Sequence, residues 1–160
     1  MRTTSLLGFT VLSLAACGGG EAGPDADDGS VNCAVETTAD TFVAPLDKMG
    51  TDGKLSFRLL SATPAPPARY DNEWTLQITQ LANGVAGAPV TGATITVSPF
   101  MPKHGHGSPK DAVITELSTA GEYKLTPVYL SMPGLWETTI NVTTASGSDS
   151  AIFRFCIPSG

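Results

Sequence analysis

His104 and His106 are the only histidines in the 160-residue chain, and they stand two residues apart in the run Ser98-Pro99-Phe100-Met101-Pro102-Lys103-His104-Gly105-His106-Gly107-Ser108-Pro109. In extended backbone, residues i and i+2 project to the same side, so both imidazoles can face one ion. The glycines on either side of His106 leave the backbone room to bend around it. Met101, three residues before His104, adds a thioether. Imidazole suits copper, zinc or nickel, and a thioether favours Cu(I), so this donor set suits copper better than zinc.

A second segment offers a partner. Tyr129-Leu130-Ser131-Met132-Pro133-Gly134-Leu135-Trp136 sets Met132 in a Pro-Gly turn ahead of a strand. Two loops at one end of a sandwich can meet although far apart in sequence. The candidate metal site is therefore Met101, His104, His106 and Met132. The same residues would also suit a solvated Gly/Pro loop, with Met132 filling a gap at the end of the core.

The elements that must position these residues read as strands. Leu55, Phe57 and Leu59 alternate with polar residues, as do Trp74, Leu76 and Ile78, and Ala93, Ile95 and Val97. Trp136, Ile140 and Val142 share a parity, and so do Phe153, Phe155 and Ile157. A period of two places each apolar set on one sheet face. Residues 113–117 and 123–126 add two more strands. Asn83-Gly84, Ala120-Gly121-Glu122 and Ser146-Gly147-Ser148-Asp149 are turn signals, and the prolines of 63–67 mark a loop. No stretch has a helical period. The expectation is an all-β domain, an antiparallel sandwich of immunoglobulin-like type with about seven strands.

The first residues read as an export signal: Arg2, an apolar run over 6–14, then Leu14-Ala15-Ala16-Cys17. A cysteine directly after small residues resembles the lipobox of bacterial lipoproteins, whose cysteine is lipidated after cleavage. The organisation expected is a signal peptide over 1–16, the lipidated Cys17 and a Gly-rich acidic tether over 17–32, and one domain over 33–160. Several acyl chains would anchor the chain to a membrane, and Gly18 after the cysteine points to the outer membrane. Cys33 and Cys156 remain, one at each end of the domain. In an oxidising compartment they are expected to pair, with two free thiols acting as soft metal ligands as the alternative. Cys156 has the opposite parity to Phe153 and Phe155, which puts such a bridge at the edge or outer side of the sandwich.

A net charge of −6 argues against a nucleic-acid partner. An enzyme is not expected: both histidines lie in one loop, and the carboxylates are scattered with no paired arrangement. Blue-copper chemistry would need a thiolate.

Met101-Pro102-x-His104-Gly105-His106, then Gly121-Glu122-Tyr123, then Met132-Pro133-Gly134-x-Trp136 resembles the YtkA-like family, related to FixH-like domains. The likeness spans roughly residues 55–145. It implies a small exported β-sandwich, often found beside copper-handling or cytochrome oxidase assembly proteins, with Met101, His104, His106 and Met132 as metal ligands. The tether and the Cys33/Cys156 pair are additions to that pattern. The leading expectation is a membrane-tethered copper carrier or buffer that passes its ion to an acceptor in the envelope. The alternative is a structural or protein-interaction module, with the His-Gly-His loop as a surface contact.

Overall fold

The structure is a computed structural model and describes residues 31–159. The expected signal peptide, Cys17 and the tether as far as residue 30 lie outside the described residues. Ten strands follow in order: β1 (Leu46–Met49), β2 (Leu55–Thr63), β3 (Tyr70–Ala82), β4 (Val85–Pro89), β5 (Thr94–Met101), β6 (His106–Gly107), β7 (Val113–Glu116), β8 (Glu122–Leu130), β9 (Gly134–Thr144) and β10 (Gly147–Ile157). They form two antiparallel sheets. One runs β1-β2-β3-β8-β7 with β4 also on β3, and the other runs β10-β9-β5-β6.

The all-β sandwich is as expected. The alternating segments became β2, β3, β5, β7, β8, β9 and β10. The three strands without a sequence signal, β1, β4 and β6, are short and have no fully buried residue. Their pairing comes from a neighbour's backbone, so no hydrophobic period is written into them.

The core lies between the sheets. Trp74, Leu76 and Ile78 of β3, Phe57 and Leu59 of β2, and Tyr123 and Leu125 of β8 face Trp136, Ile140 and Val142 of β9 and Phe153, Phe155 and Ile157 of β10. Trp74 stands edge-on to Phe155, with ring centres 5.5 Å apart, and to Phe153 at 6.2 Å. Such contacts add to area burial.

Two details show what the Gly121-Glu122-Tyr123 run does. A Cβ on Gly121 would lie 2.7 Å from the Ile78 carbonyl oxygen, and its φ is +78°. Only glycine fits so close an approach. The buried Tyr123 hydroxyl donates to the Val90 carbonyl at 2.9 Å and accepts from Ala93 N–H at 3.3 Å. It ties β8 to the crossover between the sheets. Burial, above all, pushes the Tyr123 phenol up from its ordinary pKa.

Cys33 and Cys156 are joined, with Cα atoms 5.5 Å apart and a separation of 123 positions in sequence. Cys33 begins a single 3-10 turn, Cys33–Val35. Cys156 is half-buried on β10 between the buried Phe155 and Ile157, so the bridge sits on the outer side of an edge strand, as its parity required. A closed loop of this size is worth about 4–5 kcal/mol in the chain-entropy model.

Candidate metal centre

Strands β5 and β6 form a tight hairpin in which Met101 pairs with His106 and Phe100 with Gly107. Pro102, Lys103, His104 and Gly105 make the turn. The Met101 carbonyl accepts from His104 N–H at 3.2 Å and from Gly105 N–H at 2.9 Å, and Gly105 has φ +67°. The glycine supplies the left-handed residue that closes such a turn.

This geometry changes the reason the histidines converge. They were expected to share a side because extended residues alternate. His104 instead lies in the turn, exposed, and only His106 belongs to a strand. The turn still brings the rings together, with centres 5.9 Å apart and planes at 49°. An imidazole nitrogen sits about 2 Å from a bound first-row ion, so the ring centre is about 3 Å away. Two rings on one ion can therefore have centres up to about 6 Å apart, and the observed spacing falls inside that limit.

His106 is half-buried and held from two directions. Its Nδ1 lies 3.1 Å from the Gly107 carbonyl, and its ring stands edge-on to Trp136 at 6.1 Å. A carbonyl can only accept, so in a neutral ring a hydrogen bond here would place the proton on Nδ1 and leave Nε2 for a ligand. A carbonyl that orients a ligating imidazole in this way is the usual support of a metal-bound histidine.

The two methionines play different parts. Met101 continues the inward parity of Ile95, Val97 and Pro99 on β5 and is fully buried. Its Cε packs on Gly134, where an added Cβ would lie 2.6 Å away. The alternative in which Met132 plugs the end of the core does not hold: Met101 is the buried methionine there, and Met132 is 36% exposed. Met132 is fixed by its backbone, because the buried Trp136 indole donates to the Met132 carbonyl at 2.9 Å.

Met101, His104 and Met132 border one cleft of about 490 Å³, together with Val31, Val35, Glu36, Leu135 and Cys156. His106 is not in its lining and reaches the group through its ring contact with His104. The structure thus gathers the four sequence-selected residues at one end of the sandwich, with Met101 as a closed floor. Among the described residues no three His, Cys, Asp or Glu side chains cluster to hold an ion. An ion here would need the thioethers to complete its coordination.

Sequence reasoning missed that Val31, Val35, Glu36 and Cys156 form a wall of this cleft. The paired cysteines held the available signal, since a bridge on the outer face of β10 must bring the segment around Cys33 to the end where β9 begins.

A copper-bound variant of FetP from uropathogenic Escherichia coli is similar in structure, with 10% identity and a TM-score of 0.41 over 73% of this chain and 94% of that one. No residue role follows from so loose a likeness. No match is found among curated proteins. The model of the YtkA-like family matches residues 52–141, which include Met101, His104, His106 and Met132 and leave out both cysteines of the disulfide. With more than half of its length matched, the chain belongs to the YtkA-like family.

Proposed function

We propose that this domain is a copper-binding module, a carrier or buffer without catalytic activity, held at the cell envelope by lipid on Cys17 and delivering its ion to an acceptor there. The observation that carries the reading is the pair of imidazoles 5.9 Å apart, with His106 Nε2 left for a ligand where Nδ1 bonds to Gly107. Two imidazoles with Met132 at the cleft mouth and Met101 beneath would make a soft, few-coordinate site. Such a set favours Cu(I), and its exposed members His104 and Met132 suit an ion that must be handed on. Export and outer-membrane attachment rest on the Leu14-Ala15-Ala16-Cys17 pattern.

Competition titration with a colorimetric Cu(I) chelator tests the reading. Cu(I) should bind with one-to-one stoichiometry, and at a hundredfold excess over Kd it should stabilise the fold by about 2.7 kcal/mol. The double variant His104→Ala/His106→Ala should lose at least about tenfold in affinity. Equal affinity in the variant, or no copper uptake, would overturn the proposal and leave the interaction-module alternative.

A further inference from the structure

One wall of the Met/His cleft is a strap formed by the N-terminal residues. Val31, Asn32, Val35 and Glu36 line the same cleft as Met101, His104 and Met132. The strap has little to hold it down. No residue of the Cys33–Val35 turn is buried, and Val35 is 72% exposed. Among the described residues, the hydrogen bonds made by 32–38 stay inside the segment: Ala34 N–H to the Asn32 side chain, Val35 N–H to the Asn32 carbonyl, Glu36 N–H to the Cys33 carbonyl, and Thr38 to the Glu36 carboxylate. The links described from the strap to the sandwich are the Cys33–Cys156 bridge and one hydrogen bond, Val31 N–H to Ser159 Oγ at 2.9 Å.

Firm attachment resumes at Asp40. Its N–H donates to the Arg154 carbonyl at 2.7 Å, and its carboxylate accepts from Arg154 N–H at 2.8 Å and pairs with Lys48. Phe42 then packs on Phe155 with ring centres 5.9 Å apart. Residues 31–39 are thus a strap hinged at Asp40 and bolted at Cys33.

We infer that the Cys33–Cys156 disulfide is a redox latch on the Met/His cleft: oxidised it holds the strap over one side, and reduced it frees 31–39 and opens that side. The reductant is a dithiol. It supplies two electrons and two protons, its own sulfurs become a disulfide, and Cys33 and Cys156 become two thiols. Without the bridge the strap has too little buried surface to stay docked, and segments so poorly held open locally at small cost. Both cysteines lie outside the residues matched by the family model. The inference rests on the copper reading only for what the cleft holds.

Two readouts separate latch from cargo, both on the full chain. The first uses a Glu-specific protease, with dithiothreitol as the reductant. Cleavage after Glu36 should accelerate at least about tenfold on reduction, while Glu122 and Glu137 in β8 and β9 stay uncut. An unchanged rate at Glu36 overturns the latch. Cleavage at all three positions overturns it too, because the bridge would then hold the whole fold. The second readout is Cu(I) transfer to a chelator from oxidised protein and from Cys33→Ser/Cys156→Ser, which removes the bridge without adding thiols. Transfer should be about tenfold faster from the variant, and equal rates overturn the gating. Loss of copper binding in both proteins, with cleavage at Glu36 still accelerated, would sink the copper reading and leave the strap standing.

Discussion

The two ends of strand β9 treat polar groups in opposite ways. At its far end, Asp149 of β10 pairs with Val142 and is 5% exposed. Its carboxylate accepts four backbone N–H groups, from Asp52, Lys54, Leu55 and Ser150, at 2.8–2.9 Å. Gly50 lies so close that a Cβ there would sit 2.0 Å from Asp149 Oδ2. At its near end, β9 starts from Gly134 beside the histidine hairpin, where His104 and Met132 are exposed and His106 is half-buried. One end has every acceptor satisfied and closes a loop. The other leaves imidazole and thioether groups open, as the proposed copper site requires. Removing side chains should therefore cost stability at the Asp149 end and binding at the histidine end.

Asp149→Ala should have the largest effect on stability. It leaves backbone donors without their acceptor, each costing about 1–3 kcal/mol where water cannot reach. We expect a loss of about 3–4 kcal/mol by urea unfolding, with Cu(I) affinity of the folded protein unchanged. A change in affinity would break the separation of the two ends. The pH dependence sharpens it. Burial pushes the Asp149 carboxyl up, but the four N–H donors outweigh burial and hold it below the usual carboxylate range. A lowered folded pKa gives stability that is present above the unfolded value and lost as pH falls through the folded one. The advantage of the natural protein over Asp149→Asn should stay flat from neutral pH down to about 5 and shrink only below about 4.

Gly134→Ala comes next. Its φ of +128° is hard for any residue with a Cβ, and that Cβ would press on Met101 Cε. We expect about 1–3 kcal/mol of destabilisation. Because Met101 floors the cleft, Cu(I) affinity should also fall. Retained affinity would show that Met101 is a packing residue with no part in the site.

How much of this was legible follows from what each residue has to bury. Six of the seven strands read from the sequence have a buried core face, and the seventh, the four-residue β7, packs only the half-buried Ile114 against the core. β4 could not be read, since all of its residues are exposed and nothing in Val85–Pro89 alternates. Met101 was legible as a candidate ligand, yet its burial was missed. Its parity with Ile95 and Val97 predicts an inward side chain, but Pro99 and Pro102 make the segment read as loop. Pro99 is tolerated in β5, where its carbonyl still accepts Ser108 N–H at 3.0 Å. The outward direction of Cys156 was readable from parity alone. The wall that Val35 and Glu36 build was not, because 31–36 has no periodicity and its position depends on the disulfide.

Trp136→Phe should cost about 2 kcal/mol, since it removes the indole N–H and leaves a void where the larger ring was fully buried. Its effect belongs at the near end: the Met132 carbonyl loses its donor, and the turn that presents Met132 loosens. Cu(I) transfer from the folded protein to a chelator should become faster. Unchanged transfer would mean that the indole supports the core and not the site.

The smallest stability effects should come from the histidines themselves, and they should differ from each other. His104 is exposed on a turn, so His104→Ala should change unfolding free energy by no more than about 0.5 kcal/mol. His106 is half-buried, leans on Trp136 and binds the Gly107 carbonyl, so His106→Ala should cost about 1 kcal/mol. Binding should rank them the same way for a different reason. His106 arrives with its ring already held by Gly107 and Trp136, whereas His104 must be ordered by the ion and gives back part of its coordination energy as lost side-chain entropy. His106→Ala should therefore weaken Cu(I) more than His104→Ala. Equal losses from the two would mean that orientation by Gly107 contributes nothing, and that the hairpin serves only to bring two rings within 5.9 Å.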